Sequence, residues 1–204
     1  MNTDSLTKIP GYKYNEYLLI LSPHEDLRNK IMQIKKEFHE KYKALTAVFS
    51  KPHITLVNFI QFEMAEVRLI NRLKTIAAGY HSFKVDLNGF GSFPSHTIFI
   101  NVESQQQVQN LGKEIRPAQQ LMTLNKDYKP HFINNFHLTV ARKLLPWQYE
   151  QGWSEYSLRH FSGCFMADGM LLLKKSLEEK SYKIAERFEF MNLPVNTTQG
   201  QLFV

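Results

Sequence analysis

The same order of elements is written into this chain twice, and that duplication narrows the folds open to it more than any other feature. Tyr17-Leu18-Leu19-Ile20-Leu21 reads as a strand apolar on both faces, stopped by Ser22-Pro23. A helix follows, with Leu27, Ile31, Ile34 and Phe38 as its apolar stripe. Lys30, Lys35, Lys36, Glu37 and Glu40 are expected on faces that meet solvent. A strand over 53–59 opens just after Lys51-Pro52. A second helix spans about 65–78 and meets Gly79, where a helix C-terminal glycine is expected. Phe83, Val85 and Leu87 then alternate with polar residues in a third strand before a loop over 89–94.

The order then starts again. A strand over 97–102 precedes a helix carrying Val108, Leu111 and Ile115 and interrupted near Pro117. A loop over 123–130, a strand over 135–141, a short helix after Pro146 and strand candidates at 161–166, 170–174 and 182–190 complete the pattern. Tyr17 aligns with Thr97, 80 positions on, and His53 with His137, 84 on, so only four residues of slippage intervene. The expected architecture is α+β, one domain over 1–204 built of duplicated strand-helix-strand-helix-strand units. They form two pseudo-symmetric lobes, about 14–92 and 95–191, around a central cleft, with the loop near Gly89 as their joint and a tail over 192–204.

Composition removes competing classes. With 43% apolar and 22% charged residues the 204-residue chain sits at the globular average, and by size scaling it buries roughly 70% of its extended surface. Cys164 is the one cysteine, which excludes an internal disulfide and any multi-cysteine zinc or iron-sulfur site and favours a reducing, cytoplasmic setting. No aliphatic run approaches membrane-spanning length and residues 1–13 lack a signal-peptide core, so a soluble protein with no membrane partner is expected. The net charge of +6 is spread over both halves: it suits an anionic ligand without demanding one.

The chemistry lies in the matched strands. His53-Ile54-Thr55-Leu56 and His137-Leu138-Thr139-Val140 each place a histidine and a threonine two apart. In a strand these share one face, while the apolar residues between them turn to the core. Eight histidines and ten threonines shuffled at random give about 0.4 such triplets. Either triplet alone reads as a hydrogen-bonded strand histidine; their equivalent placement makes them a pair. Two imidazoles and two hydroxyls framing one pocket suit a phosphodiester. A neutral imidazole takes a proton from the attacking hydroxyl, the opposite imidazolium protonates the departing oxygen, and the threonines hold non-bridging oxygens. The pattern asks for no cofactor and no metal, and activity is expected in excess chelator.

On Lys51-Pro52-His53-Ile54-Thr55-Leu56 and Phe136-His137-Leu138-Thr139-Val140-Ala141-Arg142, the chain resembles the two-histidine (2H) phosphoesterase superfamily, and within it the bacterial 2′-5′ RNA ligase and cyclic phosphodiesterase-like branch. The resemblance implies that His53 and His137 share acid and base work and that Thr55 and Thr139 bind phosphate. It implies an enzyme acting on 2′,3′-cyclic phosphates or 2′-5′ linkages of RNA ends or small cyclic nucleotides, with ligation as a further activity. Arg142 matches an arginine common after the second motif, yet five positions from His137 it should face away unless the strand ends or bulges first. Asn58 holds the same place after the first motif. A different reading of the same pocket is a non-hydrolytic RNA-end or nucleotide-binding module.

The remaining candidates are weaker. His131 echoes the first motif in Lys129-Pro130-His131 but lacks the threonine, and reads as a loop histidine. Tyr12, Tyr14, Phe90, Phe93 and Tyr128 fall in expected loops, where a ring can stack on a base. Trp147, Tyr149, Trp153 and Tyr156 are expected to pack the short helix, and Cys164 to be inert among apolar neighbours.

Overall fold

The computed structural model describes residues 9–194; the end of the tail, 195–204, lies outside the described residues. Along the chain run β1 (Tyr14–Leu21), α1 (Glu25–Tyr42), β2 (Ile54–Phe62), α2 (Glu66–Gly79), β3 (Phe83–Phe93), β4 (Thr97–Val102), α3 (Gln105–Ile115), α4 (Gln119–Met122), β5 (His131–Phe132), β6 (His137–Arg142), α5 (Pro146–Tyr156), β7 (Ser162–Ala167), β8 (Gly169–Ser176) and β9 (Lys183–Glu189). The chemistry at the helix ends explains where they start and stop. His24 Nδ1 accepts the Leu27 amide (3.3 Å) at the start of α1, Glu25 and Asp26 face the positive end of its dipole, and Lys43 leaves it in a left-handed conformation. Pro146 opens α5, where its missing N–H costs nothing, and the Gln148 side chain takes the Leu145 amide (3.0 Å).

The strands form one antiparallel sheet in the order β7-β3-β4-β6-β2-β1-β8-β9, with β5 also on β2. The order is symmetric about its middle, where β6 meets β2 through the single pairing Ile54 with Leu138. Both side chains are fully buried. The helices cover the face to which they point: α1 packs on β6 and β7, α5 on β4, α2 on β9, α3 on β3 and α4 on β2.

The duplication is present, but the lobes are not consecutive pieces of chain. β3, placed by sequence with the first lobe, pairs with β4 and β7 of the second half-sheet. β8 and β9, placed with the second, extend the first half-sheet from β1. Strand patterns fix where strands occur; their partners are chosen by long-range burial that periodicity does not record. The expected loop over 89–94 is likewise strand: β3 continues to Phe93 through a bulge between Leu87 and Phe90, with Gly89 at φ +62° absorbing the extra residue. The reversal that follows uses Ser95 at φ +74°.

The core is aromatic and aliphatic. Tyr17 stacks on Phe59 (5.1 Å between centroids), and Phe38 meets Tyr156 edge-on (5.1 Å) where α1 and α5 cross. Tyr17, Phe38, Phe59 and Tyr156 are all at most 1% exposed. Trp147, expected to pack the short helix, is 45% exposed, and Cys164, expected among apolar neighbours, is also exposed. No helix among the described residues is long and apolar enough to cross a membrane.

Candidate active site

Antiparallel pairing of Ile54 with Leu138 fixes the rest of the site by register. His53 comes opposite Thr139 and Thr55 opposite His137, all four on the face that the helices leave uncovered and all partly exposed. The two histidines are then diagonal neighbours, about 7–8 Å apart. That span admits one tetrahedral phosphorus between two imidazole nitrogens.

Each ring is held the same way. His53 Nδ1 lies 2.7 Å from the Lys51 carbonyl and His137 Nδ1 2.9 Å from the Asn135 carbonyl. A carbonyl only accepts, so each Nδ1 carries the hydrogen and each Nε2 is left for a substrate. Burial pushes both imidazoles below their usual range, against the opposing pull of those carbonyl bonds. On His53 the charges of Lys35, Arg142 and His137 add to the lowering. Phe93 meets the His137 ring edge-on (5.0 Å) and Phe99 flanks it (4.8 Å), so aromatic walls fix that imidazole. Phe93 does this from within β3, whereas the sequence placed it in a loop; Tyr14 and Phe90 are also strand residues.

Arg142 returns to the face that carries both histidines because the strand bulges. Opposite one step of β4, from Phe99 to Ile98, β6 advances two residues, from Thr139 to Ala141. The extra residue reverses the alternation, and Arg142 joins Thr139 on the open side. β2 bulges at the equivalent place: Ile20 pairs with Thr55, but Leu19 with Val57. Asn58 therefore takes the position in the first half that Arg142 takes in the second. Its Oδ1 is buried without a hydrogen-bond partner, and its Nδ2 reaches Glu16 Oε1 at 3.5 Å. His131, read as a loop residue, pairs with Asn58 from β5 and is exposed.

Two parts of the site were not foreseen from sequence. Glu16 of β1 is ion-paired with Lys175 of β8 (2.9 Å) and bonded by Tyr182. Although burial raises its carboxyl, these partners outweigh the rise and hold it below the usual carboxylate range. Lys35 of α1, expected in solvent, is 1% exposed; it lies four residues from Ile31, on the apolar stripe itself, a spacing that was the available signal. Among the described residues, no three His, Cys, Asp or Glu side chains gather as a metal site.

Comparisons with known proteins agree with the fold and place the chain in a family. Residues 23–179 match the 2′-5′ RNA ligase superfamily. The chain belongs to this superfamily of two-histidine phosphoesterases and is an enzyme of that class. No curated protein matches it. Among solved structures, one described as a phosphoesterase superposes with a TM-score of 0.61 at 12% identity, over 86% of this chain and 98% of that one. E. coli LigT complexed with 3′-AMP gives 0.61 at 12% identity, over 87% and 99%, and LigT complexed with phosphate gives 0.55 at 13%, over 87% and 98%. At these identities the likeness is one of fold.

Proposed function

We propose that the protein is a metal-independent phosphoesterase acting on 2′,3′-cyclic phosphate ends or 2′-5′ linkages of RNA or small nucleotides. The observation that carries this reading is the pair of imidazoles set diagonally about Ile54 and Leu138, each with Nδ1 tied to a carbonyl, which leaves Nε2 as the nitrogen for a substrate. In hydrolysis, one neutral Nε2 removes a proton from water as the water oxygen bonds to phosphorus. The opposite imidazolium gives its Nε2 proton to the ribose oxygen as the P–O bond breaks. Thr55 and Thr139 donate to the non-bridging oxygens, and Arg142 neutralises the charge that grows on them. His53 faces Lys35 and Arg142, which favour its neutral form. It is the base in this direction, and His137 is the acid.

The test is product analysis by phosphorus NMR on nucleoside 2′,3′-cyclic phosphates, 2′-5′ dinucleotides and ADP-ribose cyclic phosphate, with and without chelator. Turnover unchanged by chelator is expected, with His53→Ala and His137→Ala each losing about 10²–10⁴-fold in kcat while affinity holds. Binding without turnover across the panel would identify a nucleotide-binding module instead. Turnover that either histidine variant leaves intact would refute the dyad.

A further inference from the structure

Lys35 is a buried charged group behind the site, to which the reaction above gives no part beyond its effect on His53. α1 carries it into the layer between helix and sheet, where its ammonium donates to Ser50 Oγ (3.2 Å) and to the Thr139 carbonyl (3.3 Å). Both partners are neutral. Burying an ammonium against neutral acceptors is costly, and a methionine of similar length would fill the same space without that cost. The cost is borne at a particular place. Thr139 is the residue where the β6 register shifts, so the carbonyl that Lys35 holds belongs to the bulge that turns Arg142 around.

The groups facing this ammonium come from two parts of the chain, the segment before β2 and β6. Ser50 precedes β2, Thr139 and Arg142 belong to β6, and His53 leads into β2. Burial and then the charge of Arg142 lower Lys35 to about 8, and Lys35 in turn lowers His53. Lys35, Arg142 and two imidazoles thus share one region whose mutual repulsion a bound anion would relieve.

We propose that Lys35 is a positioning residue for the phosphoryl group: as an ammonium it braces the β6 bulge that directs Arg142 to the imidazoles. The inference rests on the phosphate site proposed above. Sulfate is a suitable probe, because its charge is constant from about pH 6 to pH 10 and both histidines are neutral over most of that range.

Binding of sulfate to the full chain, followed by calorimetry against pH, is expected to weaken about tenfold between pH 7 and pH 10, with a bend near the Lys35 value of about 8. In Lys35→Met the profile should be flat and the affinity at pH 7 already at the lower level. Combined with Arg142→Ala, Lys35→Met should add little further loss, since one residue acts through the other. A wild-type profile without a bend, or losses in the two variants that multiply, overturns the role of Lys35. The wild-type profile decides even if the variant fails to fold. Sulfate that binds at no pH, together with no turnover of cyclic phosphates, is a distinct outcome: it removes the phosphate site itself and the inference with it.

Discussion

If the Ile54–Leu138 contact sets the spacing of the two imidazoles, then a cavity there should damage catalysis more than an equal cavity elsewhere. Leu138→Ala and Leu111→Ala make a matched pair, both side chains being fully buried, one at the centre of the sheet and one in α3. Each substitution removes three carbons, about 2.4 kcal/mol of transfer free energy, and the residual cavity raises the cost to about 3 kcal/mol within a range of roughly 2–5. For a chain of this size that lowers the melting temperature by about 6–12 °C in either variant. Catalysis should separate them. Collapse around position 138 shifts β6 against β2, and a displacement of about 1 Å between reacting groups costs roughly 10²-fold. Urea unfolding gives the stabilities, and initial rates on a nucleoside 2′,3′-cyclic phosphate, well below both melting temperatures, give kcat. The expectation is a loss of ten- to a hundredfold for Leu138→Ala and less than about twofold for Leu111→Ala. Equal kcat values in the two variants would refute the claim that this pairing positions the dyad.

Other predictions follow from the same geometry. Because His53 and His137 titrate below their unfolded value of about 6.5, the native state binds fewer protons than the unfolded chain there. Stability should therefore fall as pH drops through that window, and urea midpoints against pH should show less of this slope in His53→Gln. With one imidazole needed as acid and one as base, kcat/KM should form a bell peaking below about pH 6.5; a maximum above neutrality would contradict the lowered values. At Gly91 a methyl would overlap Asn101 Oδ1 and stand 2.5 Å from the Phe99 ring that flanks His137. Gly91→Ala should cost about 1–3 kcal/mol of overpacking, less up to about 1 kcal/mol from a stiffer unfolded chain, and should lower kcat; thermal melts and rates at wild-type level would show that the wall has room.

The features legible in the sequence are those whose physical cause is local. Alternation and β-branching marked the strands, the stripe from Leu27 to Phe38 marked α1, and the repeated His-x-Thr marked one shared open face, because residues two apart in a strand necessarily share a side. What escaped depends on partners distant in sequence. Counting alternation turned Arg142 away, since no local residue announces the extra step in β6; only the same five-residue spacing from His53 to Asn58 hinted at paired bulges. Lys35 was assigned to solvent by its charge although its spacing from Ile31 put it inside. Strand exchange between the halves left no trace in periodicity at all.

That exchange has a consequence for how the molecule comes into being. Asn15 at the start of β1 pairs with Ser176 of β8, about 160 residues later, and β9 adds to β8 beyond it. During synthesis the half carrying His53 must wait, with one flank of β1 open, until β8 has left the ribosome. Neither half-sheet can be produced alone by cutting the chain between β3 and β4, and a chain ended before β8 would expose an unpaired strand edge prone to self-association.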